Sequence, residues 1–235
     1  MTIELKRFYK TVSIVPDNGG FAIALDGRPV RTPAKSLLAV PSVGLAQAIA
    51  AEWDAQVDEV QPLAMLLTRL ASTAIDKMTS ERLRFVEDLA GYAASDLLCY
   101  RAEHPPELVA RQDAKWQPLL DWAEQRHGAQ LEVTHGVVPC PQPPAALTAL
   151  RATILAHDAM SLSALHSATT AAGSLIIGLA LMDGRLTADE AFELAELDES
   201  FQIEQWGEDP EAVKRRAAIR AEFNAVANFM ALYRA

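Results

Sequence analysis

The pattern of apolar residues changes along this chain, and that change constrains its fold more than any other feature. The first forty residues consist of short β-favouring runs separated by Gly, Pro, Asn and Asp, a pattern typical of strands joined by tight turns. From Leu63 onward the apolar residues recur mainly at helical spacing. A few short strands cannot fold alone, so a helix must cover one face of their sheet. We therefore expect an α+β fold, in which a small N-terminal antiparallel sheet with a covering helix precedes a larger, mainly helical domain.

Within the N-terminal segment the turn residues divide the sequence into four candidate strands. These are Thr11–Val15, Phe21–Leu25, Val30–Thr32 and Leu37–Val40. The covering helix is predicted over Val43–Val57, with Ser42 as its N-cap. We place the boundary between the two domains after residue 78, so that the N-terminal α/β domain spans residues 1–78 and the helical domain residues 79–235.

Several breaks and starts organise the helical domain. Pro118 should kink or split the helix that runs over Glu107–Arg126. The Pro-rich segment Gln130–Pro144 contains the β-prone pair Val137-Val138 and predicts a short strand or an ordered loop. Leu162–Met182 is predicted to be helical and buried. Further on, Thr187 with Glu190 forms a capping box, and Asp209-Pro210 marks the start of the last helix.

The negative charge of the chain is concentrated in one segment. The sequence has 31 acidic and 21 basic residues and a net charge of −10. Residues 187–211 contain ten acidic residues and no Lys or Arg, which accounts for the whole excess. Large apolar residues such as Phe192, Phe201 and Trp206 are interleaved with the carboxylates, so the segment is not a disordered acidic tail. An ordered acidic segment with aromatic residues indicates a surface for a protein partner, and the absence of a clustered basic face argues against nucleic acid.

The cysteines and the apolar runs indicate the compartment. Cys99 and Cys140 lie beside apolar residues and match no metal or redox spacing, so we expect two packed, reduced thiols. The most apolar run, Ala171–Met182, is shorter than the roughly 20 residues that a membrane span requires. The first residues lack the apolar core of a signal peptide. We expect a cytoplasmic protein that does not enter a membrane and is monomeric when free.

Signatures of catalysis are largely absent from the sequence. The histidines are scattered, no glycine-rich phosphate loop is present, and Ser174 lacks the flanking glycines of a nucleophile elbow. We expect no catalytic residue, no metal and no cofactor. Asp96 and Arg101 lie near the end of an apolar helix, and we interpret them as a buried structural pair in which Asp96 contacts Arg101.

Glu204 has an unusual position within the acidic segment. If Leu194–Trp206 is one helix, Glu204 falls within roughly 20° of Leu197 and roughly 60° of Phe201 around its axis. A carboxylate then lies on the apolar side of the helix, where it could meet a cationic group of a partner. The alternative is that the helix ends near Glu204 and leaves it solvated. Trp206 beside it is either an interface anchor or a core residue, and the same two interpretations hold for Trp53.

Several long motifs together resemble one family. They are Arg7-Phe8-Tyr9-Lys10, Leu25-Asp26-Gly27-Arg28-Pro29-Val30-Arg31-Thr32-Pro33-Ala34-Lys35, Glu52-Trp53-Asp54-Ala55-Gln56, Thr73-Ala74-Ile75-Asp76, Asp96-Leu97-Leu98-Cys99-Tyr100-Arg101, Gln112 with Trp116-Gln117-Pro118-Leu119-Leu120, Gly173-Ser174-Leu175, and Asp198-Glu199 with Phe201-Gln202-Ile203-Glu204-Gln205-Trp206-Gly207. In their order and over nearly the whole chain, they resemble the assembly chaperones of the alpha subunit of the F-type ATP synthase catalytic head, known from mitochondria and alphaproteobacteria. The chain departs from the family at Leu66, where the resemblance leads us to expect a proline.

The resemblance implies a function without catalysis and without a nucleotide. Such a chaperone holds the unassembled alpha subunit, covers the surface destined for the beta subunit, and is displaced when beta arrives. The family's acidic segment maps onto Asp198, Glu199, Gln202, Glu204 and Trp206, which are the partner-binding residues that the resemblance implies, with Glu204 first among them. The chain lacks the presequence of the mitochondrial members, which favours a bacterial member.

Two other functions are compatible with the residues. One is a small-molecule enzyme that uses Asp96, Arg101 and Glu204 in a helical cleft, which would require these groups to converge on one pocket. The other is a general adaptor whose acidic helix binds basic partners without specificity for one client. Binding by such an adaptor would fall steeply with salt and depend little on Trp206 or Phe201.

Overall fold

A computed structural model describes residues 5–235 of the chain, and within them the α+β architecture is confirmed. The strands are β1 (Leu5–Lys6), β2 (Val12–Asp17), β3 (Gly20–Leu25), β4 (Arg28–Pro29), β5 (Ala39–Val40), β6 (Glu59–Val60), β7 (Tyr100–Arg101) and β8 (Thr134–His135). The helices are α1 (Val43–Asp54), α2 (Leu66–Asp76), α3 (Arg82–Ala94), α4 (Pro106–His127), α5 (Pro144–Ala156), α6 (Ala159–Ala172), α7 (Leu175–Met182), α8 (Ala188–Ala195), α9 (Leu197–Trp206) and α10 (Pro210–Arg234). Short 3-10 turns lie at Pro62–Ala64 and Leu97–Cys99.

The N-terminal sheet is antiparallel and is built around β3. Strand β2 pairs along the whole of β3, while β4 and β5 each pair with part of it. The hairpin between β2 and β3 turns through Asn18 and Gly19, whose positive φ values suit an Asn-Gly turn. Helix α1 packs on β2 and β3, and the Ser42 hydroxyl accepts a hydrogen bond of 3.1 Å from the Leu45 amide, so the predicted N-cap is confirmed. The predicted strand Val30–Thr32 is displaced, because the regular pairing lies at β4. Beyond β4 the backbone of Val30 bonds to Ile23 and Leu38, and an isolated bridge joins Arg31 to Leu37.

The chain forms two compact units. The first ends at Arg82 and also takes in Ala159–Ala164 and Asn228–Ala235, whereas the second consists of Leu83–Asp158 and Leu165–Ala227. The division into domains at residue 78 stays a prediction.

Helix α2 begins at Leu66, its first helical position, where a proline is favoured because the N–H there has no helical acceptor. Leucine in place of the proline therefore leaves helix α2 intact. The Glu52 side chain caps the N-terminus of α2 by accepting from the Leu67 and Thr68 amides at 2.8 Å.

Two predicted helices have different boundaries in the structure. Leu162–Met182 is not one helix, because Gly173 adopts a φ of +64° and Ser174 caps the N-terminus of α7 by accepting from the Ile177 amide. Helix α4 runs unbroken through Pro118, so it is not split there, and a kink at Pro118 stays a prediction. In the 130–144 segment the strand lies at β8 rather than at Val137-Val138, both of which are exposed.

The core of the second unit surrounds α4 and α7. Every residue of α7 is buried, and so is Trp116 of α4, whose indole N–H donates to the Leu194 carbonyl at 3.0 Å. The capping box of Thr187 and Glu190 and the Asp209 cap of α10 are both formed as predicted. Among residues 5–235, no helix combines the length and apolar character needed to cross a bilayer.

Candidate functional site

A groove in the second unit lies between α4 and the pair α8 and α9. Its volume is about 440 Å³, and its floor is formed by apolar side chains, Pro118, Leu119, Leu186, Leu194 and Leu197. Charged residues of both signs form the rim, Arg111, Lys115 and Arg185 against Glu190, Glu193 and Glu204. We call this the Glu204 groove.

The unbroken path of α4 through Pro118 is linked to this groove. Proline has no N–H, so the carbonyl of Ala114, one turn earlier, lacks its usual helical donor. Both Ala114 and Pro118 line the groove. The helix therefore continues through Pro118 without this hydrogen bond, at a point where α4 lines the groove.

Arg111 and Glu204 form the best-defined polar contact of the rim. The two guanidinium nitrogens of Arg111 donate to the two carboxylate oxygens of Glu204 at 2.7 and 2.8 Å. The guanidinium also lies over the Phe201 ring, 5.2 Å from its centroid. The hydrogen bonds from Arg111 lower the pKa of Glu204, so its carboxylate is charged at neutral pH. The Glu204 side chain is 51% exposed, which leaves it accessible to a partner.

Asp198 is held from inside rather than facing solvent. The buried Gln112 side chain donates to an Asp198 oxygen at 2.7 Å, and its own oxygen accepts from the Ala102 amide at 2.7 Å. Burial raises the pKa of Asp198, although the hydrogen bond from Gln112 opposes the shift. This chain of contacts fixes the first turn of α9 against α4.

Arginines of α10 neutralise much of the acidic segment. Glu196, which separates α8 from α9, is buried and accepts from Arg215 at 2.9 Å through both oxygens and from Arg216 at 3.1 Å. Further ion pairs join Glu199 to Arg215 at 3.5 Å, Glu208 to Arg216 at 3.4 Å, and Asp189 to Arg220. Counting Glu204, five of the ten acidic residues of the segment are thus paired with arginines, and its free negative surface is smaller than the sequence suggests.

The aromatic residues of the segment have different roles. Phe192 is buried, and the guanidinium groups of Arg220 and Arg216 lie over its ring at 4.1 and 5.0 Å. Phe201 is buried against α4 beneath Arg111. Trp206, in contrast, is 80% exposed, which leaves the interface interpretation as the one that fits this residue.

The predicted partner-binding residues do not form one patch. Because α8 ends before Glu196, the helix that carries them begins only at Leu197, although within it Glu204 keeps its predicted alignment with Leu197 and Phe201. Two residues along a helix correspond to a rotation of about 200°, so Trp206 lies nearly opposite Glu204 on α9. Gln202, which is exposed, shares the side of Trp206. Of the five residues, Glu204 lines the groove, Gln202 and Trp206 face solvent, and Asp198 and Glu199 make internal contacts.

The sequence interpretation missed the basic side of the groove. Arg111, Lys115 and Arg185 provide it, and Arg111 and Lys115 follow one another at the i, i+4 spacing of a helix face. That spacing was the available signal, but it did not reveal which carboxylate Arg111 would meet.

The alternative site of Asp96, Arg101 and Glu204 is not formed. Asp96 is fully buried and accepts from the Ser174 hydroxyl at 2.7 Å and from the Leu98 and Ile176 amides at 3.1 Å. Arg101 is buried over the Trp116 ring and donates to the Leu98 carbonyl, so the predicted contact with Asp96 is wrong. Neither residue lines the groove that contains Glu204. Within residues 5–235, no cluster of side chains has the composition of a metal site.

Comparisons with known proteins agree with one another. The family model for ATP12 chaperone protein matches residues 6–124. Protein atp12, mitochondrial, of Schizosaccharomyces pombe is 26% identical over 216 residues, which are 87% of this chain and 74% of that protein. The crystal structure of Atp12 from Paracoccus denitrificans is 43% identical with a TM-score of 0.89, over 97% of this chain and 98% of that one. The Atu1473 protein of Agrobacterium tumefaciens is 45% identical with a TM-score of 0.91, over 97% and 85% of the two chains.

Proposed function

The chain belongs to the ATP12 chaperone family, and from that premise we propose that its client is the unassembled alpha subunit of the F-type ATP synthase catalytic head. The family is one of chaperones and not of enzymes. In this proposal the protein covers the surface of the alpha subunit that the beta subunit later occupies. The centre of a stable subunit interface is generally apolar, and such a surface promotes aggregation while it is exposed.

The observation that carries the proposal is the Glu204 groove. An apolar floor supplies affinity through burial, while a rim with both signs of charge favours one orientation of a client over others. Glu204 is charged and half-exposed at this rim. A cationic client group that approaches the groove can therefore reach its carboxylate while Arg111 still holds it in place.

The partner-binding residues fall into contacting and supporting positions in this proposal. Glu204 contacts the client at the groove. Gln202 and Trp206 contact it on the other side of α9, which requires the client to wrap around the end of that helix. Asp198 and Glu199 support these contacts, because Gln112 and Arg215 engage them from the protein side.

Release of the client needs no nucleotide in this mechanism. If the interface between alpha and beta is larger and tighter than the interface between alpha and the chaperone, beta displaces the chaperone by competition. Coulombic steering by Glu204 accelerates capture within the roughly 8 Å over which charges act at physiological salt. We further propose that the protein acts as a monomer in the bacterial cytoplasm.

The experiment is co-purification of the tagged protein with separately expressed alpha and beta subunits. We expect selective binding of alpha and its release when beta is added. The variant Glu204→Lys should remain folded and lose capture, while the matched control Glu124→Lys reverses an exposed charge on α4 outside the groove and should bind normally. Normal capture by folded Glu204→Lys would contradict the proposed role of the groove.

The same assay separates a dedicated chaperone from a general adaptor. An adaptor that binds through its acidic charge would lose alpha steeply as salt is raised and would tolerate Trp206→Ala. The dedicated chaperone should tolerate moderate salt, because much of its affinity comes from apolar burial, and should be weakened by Trp206→Ala.

A further inference from the structure

A second apolar surface lies in the first unit, built around Trp53. Two hollows of about 550 and 530 Å³ share Val30, Arg31 and Trp53 as a common wall. At their margins Leu63 is 83% exposed and Phe8 is 66% exposed. We call this surface the Trp53 groove.

The groove has a rigid wall. The Tyr9 hydroxyl donates to the Trp53 carbonyl at 2.6 Å, and the two rings meet edge to face with centroids 5.9 Å apart. Arg7 lies over the Tyr9 ring and donates to the Asp54 carbonyl at 3.0 Å, which ties the N-terminal segment to the end of α1. A rigid concave surface loses little conformational entropy when it binds a partner.

Trp53 itself has an unmet requirement. Its indole Nε1 is buried, and no acceptor lies within hydrogen-bond distance of it among the described residues. A buried donor without a partner is unfavourable, because it has lost its hydrogen bonds to water and gained none in return. An oxygen atom supplied by a bound chain would satisfy this donor.

The charge around the groove is basic, in contrast to the chain as a whole. Arg28, Arg31 and Lys77 are exposed at its margins. With Arg69, the linings of the two hollows contain four basic residues against two carboxylates. One of the two, Asp76, accepts from the Thr32 hydroxyl at 2.6 Å and from the Ala34 amide at 2.9 Å, which fixes its position but leaves its charge. Asp26 likewise accepts from the Thr11 amide at 2.8 Å and the Lys10 amide at 3.1 Å. In a protein with a net charge of −10, a basic apolar groove complements an acidic apolar partner.

We propose that the Trp53 groove binds an extended protein segment that carries both apolar and acidic side chains. Apolar side chains occupy the hollows on either side of Trp53, carboxylates pair with Arg31 and its basic neighbours, and a main-chain or carboxylate oxygen accepts from the indole. This surface is separate from the Glu204 groove, and the proposal does not depend on which client that groove binds.

The test follows the indole N–H signals of the full-length protein by NMR during titration with three synthetic ten-residue peptides. The first alternates leucine with aspartate, the second replaces each aspartate by lysine, and the third replaces each leucine by serine. The Trp53 signal is identified by its loss in Trp53→Phe, a variant that keeps an aromatic ring at this position and removes the indole N–H. We expect the leucine-aspartate peptide to move the Trp53 signal downfield in a saturable manner, and the other two to leave it unchanged.

Substitutions in the groove should weaken binding of the leucine-aspartate peptide without unfolding the protein, because the altered side chains are exposed. Arg31→Glu should weaken it about tenfold, as expected when an attractive charged contact becomes repulsive. Leu63→Asp should weaken it as well, whereas Lys214→Glu, a control on α10 with the same change in charge as Arg31→Glu, should not.

Equal binding of the lysine peptide, no saturable change at Trp53, or a change at Trp206 alone would each overturn the proposal. A shift of the Trp53 signal with protein concentration in the absence of peptide would also overturn it, by identifying a second copy of the chain as the occupant.

Discussion

Arg111 on α4 and Glu204 on α9 lie 93 positions apart in the sequence and meet through two parallel hydrogen bonds of 2.7 and 2.8 Å. The Arg111 guanidinium lies over the Phe201 ring, and the ion pair lies at the rim of an apolar groove. Its exposure means that it contributes little to stability, as is usual for surface ion pairs. A bidentate geometry at an exposed position instead fixes the direction in which the carboxylate points, which matters for binding a partner.

Exchanging the two charges separates stability from client capture. The double variant Arg111→Glu with Glu204→Arg can rebuild the ion pair with its polarity reversed. We expect a melting temperature close to that of the wild type, but binding of the alpha subunit weaker by about tenfold or more, because a client cation now meets a guanidinium. Calorimetric titration and thermal unfolding of the same samples measure both quantities. Restored capture in the double variant would mean that the client requires only an intact pair and not a carboxylate at position 204.

The local features of the fold could be predicted from the sequence, because each depends on residues a few positions apart. Ser42, the Thr187 capping box and the Asp209 cap all act within one helical turn and are found where their side-chain chemistry places them. The break at Gly173-Ser174 has an equally local signal, a glycine followed by a good N-cap residue. The apolar periodicity runs through it without interruption, and that continuity favoured one long helix.

The contacts of the candidate site could not be predicted in this way. Which cation meets Glu204 depends on the packing of α4 against α9, and no spacing rule connects two helices so far apart in the chain. The same reason explains why the acidic segment looked like a free surface. Its partners Arg215, Arg216 and Arg220 lie on α10, and only the folded structure brings them against Glu196 and Asp189.

Removing the Glu196 carboxylate should destabilise the second unit. Its side chain is 7% exposed and neutralises Arg215 and Arg216 at the junction of α8 and α9. We expect Glu196→Gln to lower the free energy of unfolding by about 2 kcal/mol, less than for a fully buried pair because Arg215 is half-exposed and can be rehydrated. Urea unfolding measures the change, and Glu124→Gln, at an exposed position on α4, serves as the control. If Glu196→Gln lowered the free energy of unfolding by no more than the control does, Arg215 and Arg216 would have found other partners in the variant.

The N-caps of α7 and α8 should differ in their contributions. The Thr187 hydroxyl is exposed and caps α8, so Thr187→Ala should cost about 1 kcal/mol of unfolding free energy. The Ser174 hydroxyl is buried, caps α7 and also donates to Asp96 at 2.7 Å. Ser174→Ala removes the cap and one of the donors to a buried carboxylate, and we expect a loss of about 2–3 kcal/mol. The comparison uses chemical denaturation of both variants at pH 7, and equal losses would contradict an energetic role for the bond to Asp96.

Asp96 should make stability depend on pH with an unusual sign. Burial raises the pKa of Asp96 to about 6, whereas the unfolded chain has a value near 3.8. Between these values the native state binds the proton more strongly than the unfolded state, so the contribution of Asp96 to stability falls as pH rises. From pH 5 to pH 7.5 the expected loss is about 1.4 kcal/mol, the equivalent of one pKa unit. Asp96→Asn lacks this titration, so the stability of the wild type relative to the variant should be higher at pH 5 than at pH 7.5, as measured by urea unfolding in matched buffers. The other carboxylates titrate in the wild type and in the variant alike, so their contributions cancel when the two unfolding free energies are subtracted. If that free-energy difference did not change with pH, Asp96 would be ionised throughout this range.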